Sequence, residues 1–161
     1  MTLWEPLELE RNKSYRWHIG ALSLWVMNDG NEWLEAHLHG RDRADEDRLV
    51  VAEECDPPPH GWNRLVCRER SDTFRLRPLL PDRPVVVGSS SVLKLLPGCG
   101  ARFFVMIPLW VSLQVGDGTR STLMELPSVV LSNTWFGGLT NGELCYSLKT
   151  TAHTALHEMA P

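Results

Sequence analysis

Phe103-Phe104-Val105-Met106-Ile107-Pro108-Leu109-Trp110-Val111 leads into the turn Gly116-Asp117-Gly118. A second apolar piece, Val129-Val130-Leu131, runs straight into Ser132-Asn133-Thr134-Trp135-Phe136-Gly137-Gly138. The polar turn Thr140-Asn141-Gly142 then hands over to Glu143-Leu144-Cys145-Tyr146-Ser147-Leu148. The stretch reads as strand, turn, strand, aromatic-glycine loop, strand. Short β-branched and aromatic runs separated by turn chemistry mark an all-β chain.

Working toward the N-terminus, the same grammar recurs. Tyr15 to Val26 alternates with a change of phase at Gly20, which reads as a bulge inside a strand. Asn28-Asp29-Gly30-Asn31 is a hairpin turn, because these residues tolerate positive φ. On the return strand Glu32 to His39, Leu34, Ala36 and Leu38 face one way. Trp33, Glu35, His37 and His39 face the other. Residues 1–14 form a polar leader, ordered where Trp4 or Leu7 packs. Residues 40–62 form a charged and proline-rich loop. Asn63 to Leu79 holds one or two short strands, and Phe74 and Leu76 lie opposite the neighbouring arginines. Val85-Val86-Val87 and Val92 to Leu96 are further strands. Helical character is confined to Thr150 to Met159. The expected architecture is one antiparallel, jelly-roll-like β-sandwich domain over residues 1–161, with a short C-terminal helix at most. Its expected core includes Trp17, Leu24, Trp33, Val86, Leu93, Phe104, Ile107, Trp110, Val130 and Tyr146.

Composition bounds the function. At 161 residues the chain is long enough for a sizeable core. A net charge of -4 gives no reason to expect nucleic acid or an anionic membrane as partner. The N-terminus lacks a basic start and an apolar stretch of signal-peptide type, and no run is long enough to cross a bilayer as a helix. The cytoplasm is the expected compartment, with Cys55, Cys67, Cys99 and Cys145 as free thiols. The sequence holds no phosphate-binding loop, nucleotide fingerprint or Ser-His-Asp order. No cofactor is expected.

Four groups of residues could carry chemistry. Glu35, His37 and His39 share one strand face and offer a carboxylate and two imidazoles to a divalent metal. The arrangement is similar to the first motif of cupins, but Arg43 stands where that motif needs glutamate and no second histidine motif follows. The plain alternative is a solvent-facing polar face. Cys55, His60 and Cys67 flank the proline turn without the Cys-x-x-Cys pairing of structural zinc, so a loop with incidental thiols is expected. His153 and His157 would share a helix face, but a metalloprotease glutamate is misplaced there. Arg64, Arg68, Arg70, Arg75 and Arg77 are interleaved with Glu69 and Asp72, which reads as an ion-paired surface.

The loop Ser132–Gly142 is the leading candidate for contact with a ligand or partner. Gly137 and Gly138 give backbone freedom, and Trp135 and Phe136 supply aromatic area. Asn133, Thr134 and Glu143 supply polar groups beside them. The competing expectation is that Trp135 plugs the end of the core.

Several of these residues also carry a resemblance. They are Trp17 to Trp25 followed by Glu32-Trp33, then Pro108-Leu109-Trp110-Val111, Leu131 to Gly137 and Gly142 to Ser147. On them the chain resembles the uncharacterised prokaryotic family catalogued as domain of unknown function 432. The resemblance spans most of the chain, although Arg41 to Asp82 adds nothing to it. It implies the fold and no activity. It also implies relatives with more strands beyond the position of Lys149, hence a short member whose sheet a partner subunit completes. With no clustered acid and base, no activated nucleophile and no convincing metal set, the expectation is a non-catalytic binding or protein-interaction module, a regulatory accessory protein. Its tryptophan and apolar strand content point to a homo-oligomer. The enzyme alternative is a metal-dependent cupin-like β-sandwich using Glu35, His37 and His39.

Overall fold

The computed structural model describes residues 3–40, 49–67, 71–89, 94, 97–98, 105–116 and 122–150. Among them there is no helix, and the regular structure is strand throughout. Among these residues no helix is long and apolar enough to cross a membrane. The strands are β1 (Leu7–Glu8), β2 (Ser14–Ile19), β3 (Leu22–Asn28), β4 (Trp33–His39), β5 (Leu49–Glu54), β6 (Asn63–Leu65), β7 (Thr73–Leu79), β8 (Val85–Ser89), β9 (Trp110–Val115), β10 (Thr122–Pro127), β11 (Ser132–Phe136) and β12 (Glu143–Thr150). They fall into two compact units. The first contains Met1–Leu80 and Pro108–Val130, the second Pro81–Ile107 and Leu131–Pro161.

The first unit is a β-sandwich. One sheet has the order β5-β2-β3-β4-β6 and the other β1-β7-β9-β10, and every pairing in both is antiparallel. Alternation selects the inner faces: Trp17, Leu22, Leu24, Val26 and Trp33 from the first sheet, Phe74, Leu76, Val111, Leu113 and Val115 from the second. Phe74 sits between the tryptophans, its centroid 5.2 Å from Trp17 and 5.6 Å from Trp33. The N-terminal leader is more ordered than expected. Leu3, Leu7 and Leu9 enter the core, and β1 pairs with β7. β5 likewise forms within the stretch read as a loop and pairs with β2.

Two local expectations need correction here. Gly20 is not a bulge. Ile19 pairs with Leu22, so Gly20-Ala21 is a two-residue hairpin loop, and Gly20 has φ +58°. A glycine at the first central position is what a type II′ turn requires. The apolar run 103–111 is not one strand either: β9 starts only at Trp110. Pro108 has no N–H to give a ladder, and Val105, Met106 and Ile107 are exposed. The turn Asn28 to Asn31 is present, with Asp29 Oδ1 accepting from the N–H groups of Asn31 and Glu32 at 2.9 and 2.7 Å.

The second unit contains a three-stranded sheet of order β11-β12-β8. β11 and β12 are antiparallel, but β12 and β8 run parallel, so the sheets are not uniformly antiparallel. A parallel pair needs a long crossover, which the chain between β8 and β12 supplies.

Of the expected core, Trp17, Leu24 and Trp33 are buried. Val86, Trp110 and Tyr146 are half-buried. Ile107 and Val130 are exposed, Val130 by 66%, because neither lies on a strand. Leu93 and Phe104 fall outside the described residues. So do His153, His157, Cys99, Arg68, Arg70 and the tail beyond Thr150, while Thr150 itself ends β12. Cys55, Cys67 and Cys145 are free thiols.

Candidate functional site

The aromatic-glycine stretch is half strand and half turn. Ser132 to Phe136 form β11, in register with Ser147 to Glu143 of β12. Thr134, Trp135 and Phe136 favour the extended backbone, and the pairing with β12 fixes it. The six proposed contact residues therefore divide by strand parity. Asn133 and Trp135 share a face with Leu144 and Tyr146, their partners across the ladder, and with Leu148 and the paired Val85 and Val87. Thr134, Phe136, Glu143 and Cys145 lie on the opposite face. Gly137 opens the turn with φ +108°.

Trp135 does not plug a core: 57% of it is exposed. It is nevertheless seated. A side chain at Gly142 would overlap the indole, with Cε2 only 2.6 Å from the added carbon and Nε1 nearer still. Gly142 N–H donates to the Gly138 carbonyl at 2.8 Å, which closes the turn beneath the ring. Glycine at 142 is thus required by close approach. Leu144 and Val87 extend the exposed apolar surface on this face.

A polar group of residues borders the tryptophan face. The Tyr146 hydroxyl donates to Asp82 Oδ1 at 2.7 Å, which pushes its pKa above the usual tyrosine value. The Arg83 guanidinium lies 5.6 Å over the Tyr146 ring and donates to Asn133 Oδ1 at 3.3 Å. Asp82 Oδ2 is 3.7 Å from Arg83 Nε. Pro84 holds the approach to β8, and its carbonyl accepts the Tyr146 N–H at 2.8 Å. Tyr146, expected in the core, is instead half-buried, and Asp82 and Arg83 carry no motif that marks them in the sequence. The available signal was parity, since Tyr146 and Leu144 alternate with the buried Cys145.

On the opposite face Phe136 is 61% exposed and stands across from Glu143. Cys145 is buried, and this desolvation raises its thiol pKa, with the Glu143 carboxylate adding to the effect. It is a structural rather than a nucleophilic thiol.

In the first unit, the face carrying Glu35, His37 and His39 is not the solvent-facing one. Trp33 has the same parity and belongs to the core, so Glu35 is drawn inside and fully buried. Its Oε1 is 2.5 Å from His37 Nδ1, and its Oε2 accepts from Asn63 Nδ2 at 3.2 Å. His39 Nε2 donates to the Pro127 carbonyl at 2.8 Å, tying β4 to β10. The two imidazole rings are 5.7 Å apart and nearly perpendicular. Among the described residues, no group of three or more His, Cys, Asp or Glu side chains is arranged to hold a metal ion. Cys55, His60 and Cys67 form no such group. Of the arginines, Arg64 pairs with Glu32 at 3.5 Å, and Arg75 and Arg77 lie on the outward face of β7.

No curated protein and no solved structure matches the chain. A family model described as "Protein of unknown function (DUF432)" matches residues 3–161. With essentially its whole length covered, the chain belongs to the DUF432 family.

Proposed function

Starting from a family with no assigned activity, we propose that this protein is a non-catalytic interaction module. It takes a protein partner on the tryptophan face of the β11-β12-β8 sheet and acts as a regulatory accessory subunit in the cytoplasm. The observation that carries this reading is Trp135 itself, more than half exposed yet seated against Gly142. An aromatic held in place loses little freedom on binding, and this favours its use as an anchor. Trp135, Tyr146 and Arg83 are also the residue types that dominate binding energies at interfaces. The apolar centre with a polar border of Asp82, Arg83 and Asn133 has the anatomy of such a surface. Thr134, Phe136 and Glu143 lie on the opposite face of the hairpin and stay outside this surface, while Gly137 shapes the turn at its edge.

The test pairs a pull-down with thermal melts of wild-type and Trp135→Ala protein. The expected result is loss of the bound partner with a stability change below about 1 kcal/mol, as for an exposed position. A loss of several kcal/mol with partners retained would make Trp135 structural and remove this site.

A further inference from the structure

We propose that His37 and His39 form a bidentate site for a divalent transition-metal ion of the zinc, copper and nickel class, with Glu35 as its positioning residue. The two histidines stand two apart on β4, so their rings share a face. Each ring has one nitrogen taken by a partner. The Pro127 carbonyl can only accept, so His39 carries its proton on Nε2 and keeps the lone pair on Nδ1. Glu35 occupies His37 Nδ1, which leaves Nε2 as the ring nitrogen that a metal can take. Each imidazole is therefore oriented through one nitrogen while the other remains a donor to a metal. A carboxylate or a backbone carbonyl behind the ring is the arrangement that metal-binding histidines use. Here one ring has each kind.

The ring separation lies within about half an ångström of that for a shared ion. With metal–nitrogen bonds of about 2.1 Å and a ring nitrogen roughly 1.1 Å from its centroid, two imidazoles at a tetrahedral angle have centroids about 5.2 Å apart. The observed separation is 5.7 Å. His37 keeps 30% of its side chain exposed, so an ion has access. Glu35 is fully buried and bonded to His37 and Asn63, which makes it an orienting group rather than a ligand. Imidazole donors select borderline metals over magnesium or calcium, and water fills the remaining positions.

The experiment titrates the full chain with Zn²⁺ by calorimetry and with Cu²⁺ by electron paramagnetic resonance. One ion per chain is expected, with affinity reduced at least 100-fold in His37→Ala and in His39→Ala. Glu35→Gln should keep the stoichiometry and weaken binding about 10–100-fold. Because Glu35→Gln alters a buried position, nitrogen-15 spectra of the wild-type rings give a second measurement. They should show the Nδ1–H form of His37 and the Nε2–H form of His39, with Cu²⁺ broadening confined to these rings. Unchanged affinity in both histidine variants would mean an adventitious ion elsewhere and overturn the site. Opposite tautomers, or rings untouched by metal, would overturn it as well.

Discussion

At the scale of single residues, the two candidate sites differ in what makes them specific. Trp135 is specified by a neighbour that has no side chain. Gly142→Ala puts a carbon into the indole and against the Gly138 carbonyl, which stands 2.6 Å from that position. The ring must leave its seat. We expect a hairpin destabilised by about 1–3 kcal/mol, the usual cost of overpacking. The measurement is the indole N–H resonance of Trp135 together with a melt, and an unmoved resonance would contradict the packing. The sequence marks Gly137 and Gly138 beside Trp135, but the glycine that seats the ring is Gly142, across the turn, and neither that approach nor the ring's exposure is legible in the sequence. For Glu35 the legible part was parity. Alternation shows which side chains share a face and leaves open which face is inward. The clue was Trp33, an aromatic two positions before Glu35 on the same face. A large apolar ring draws the whole face inside, carboxylate included, once His37 and Asn63 satisfy its oxygens.

At the scale of elements, local turns were readable and distant pairings were not. Asn28 to Asn31 encodes its own turn, because Asp29 accepts backbone N–H groups two and three residues on. β10 and β11 depend on partners elsewhere in the chain, so neither strand is marked by its own residues. One such distant link also yields a pH prediction. Arg11 donates to both Asp72 oxygens, and Asn28 Nδ2 donates to Oδ1 at 2.9 Å, which joins the β1–β2 turn, the end of β3 and the start of β7. The Arg11 guanidinium holds the Asp72 carboxyl below the usual carboxylate range, and the Glu32 and Asn31 N–H groups do the same for Asp29. A carboxyl depressed in the folded state adds stability above its unfolded pKa, about 3.9, and loses it as pH falls through the lower folded value. Wild-type protein should therefore exceed Asp72→Asn in stability by a constant margin at neutral pH. The margin should vanish only below about pH 3.9 and shrink with added salt, since the pair is exposed. Denaturant titrations of both proteins between neutral and acid pH measure it. A margin that grew on acidification would have the wrong sign.

At the scale of the whole molecule, the all-β class was legible because Gly, Asn, Asp and Pro recur at strand-length intervals. The parallel pairing of β8 with β12 was not, since two strands brought together across a long crossover leave no mark in either segment. That pairing completes the apolar face, placing Val85 and Val87 beside Tyr146 and Leu148, with Trp135 and Leu144 in line across β12. Apolar sheet faces of this kind are commonly satisfied by a second copy, and two-fold closure is the simplest geometry. A self-complementary patch would bring Trp135 of one protomer against Leu144 or Val87 of its partner. Without its protein partner the chain is therefore expected to close this same face as a homodimer, measured by sedimentation equilibrium. Leu144→Glu should weaken it at least tenfold, about 1.4 kcal/mol, by leaving a charge in an apolar contact. Leu144 is 44% exposed, so the protomer should keep its fold, and its melt should fall only by what the lost association contributed. If wild-type protein stays monomeric at every accessible concentration, a second copy is not the partner. Dimerisation that survives both Leu144→Glu and Trp135→Ala would move the interface off this face.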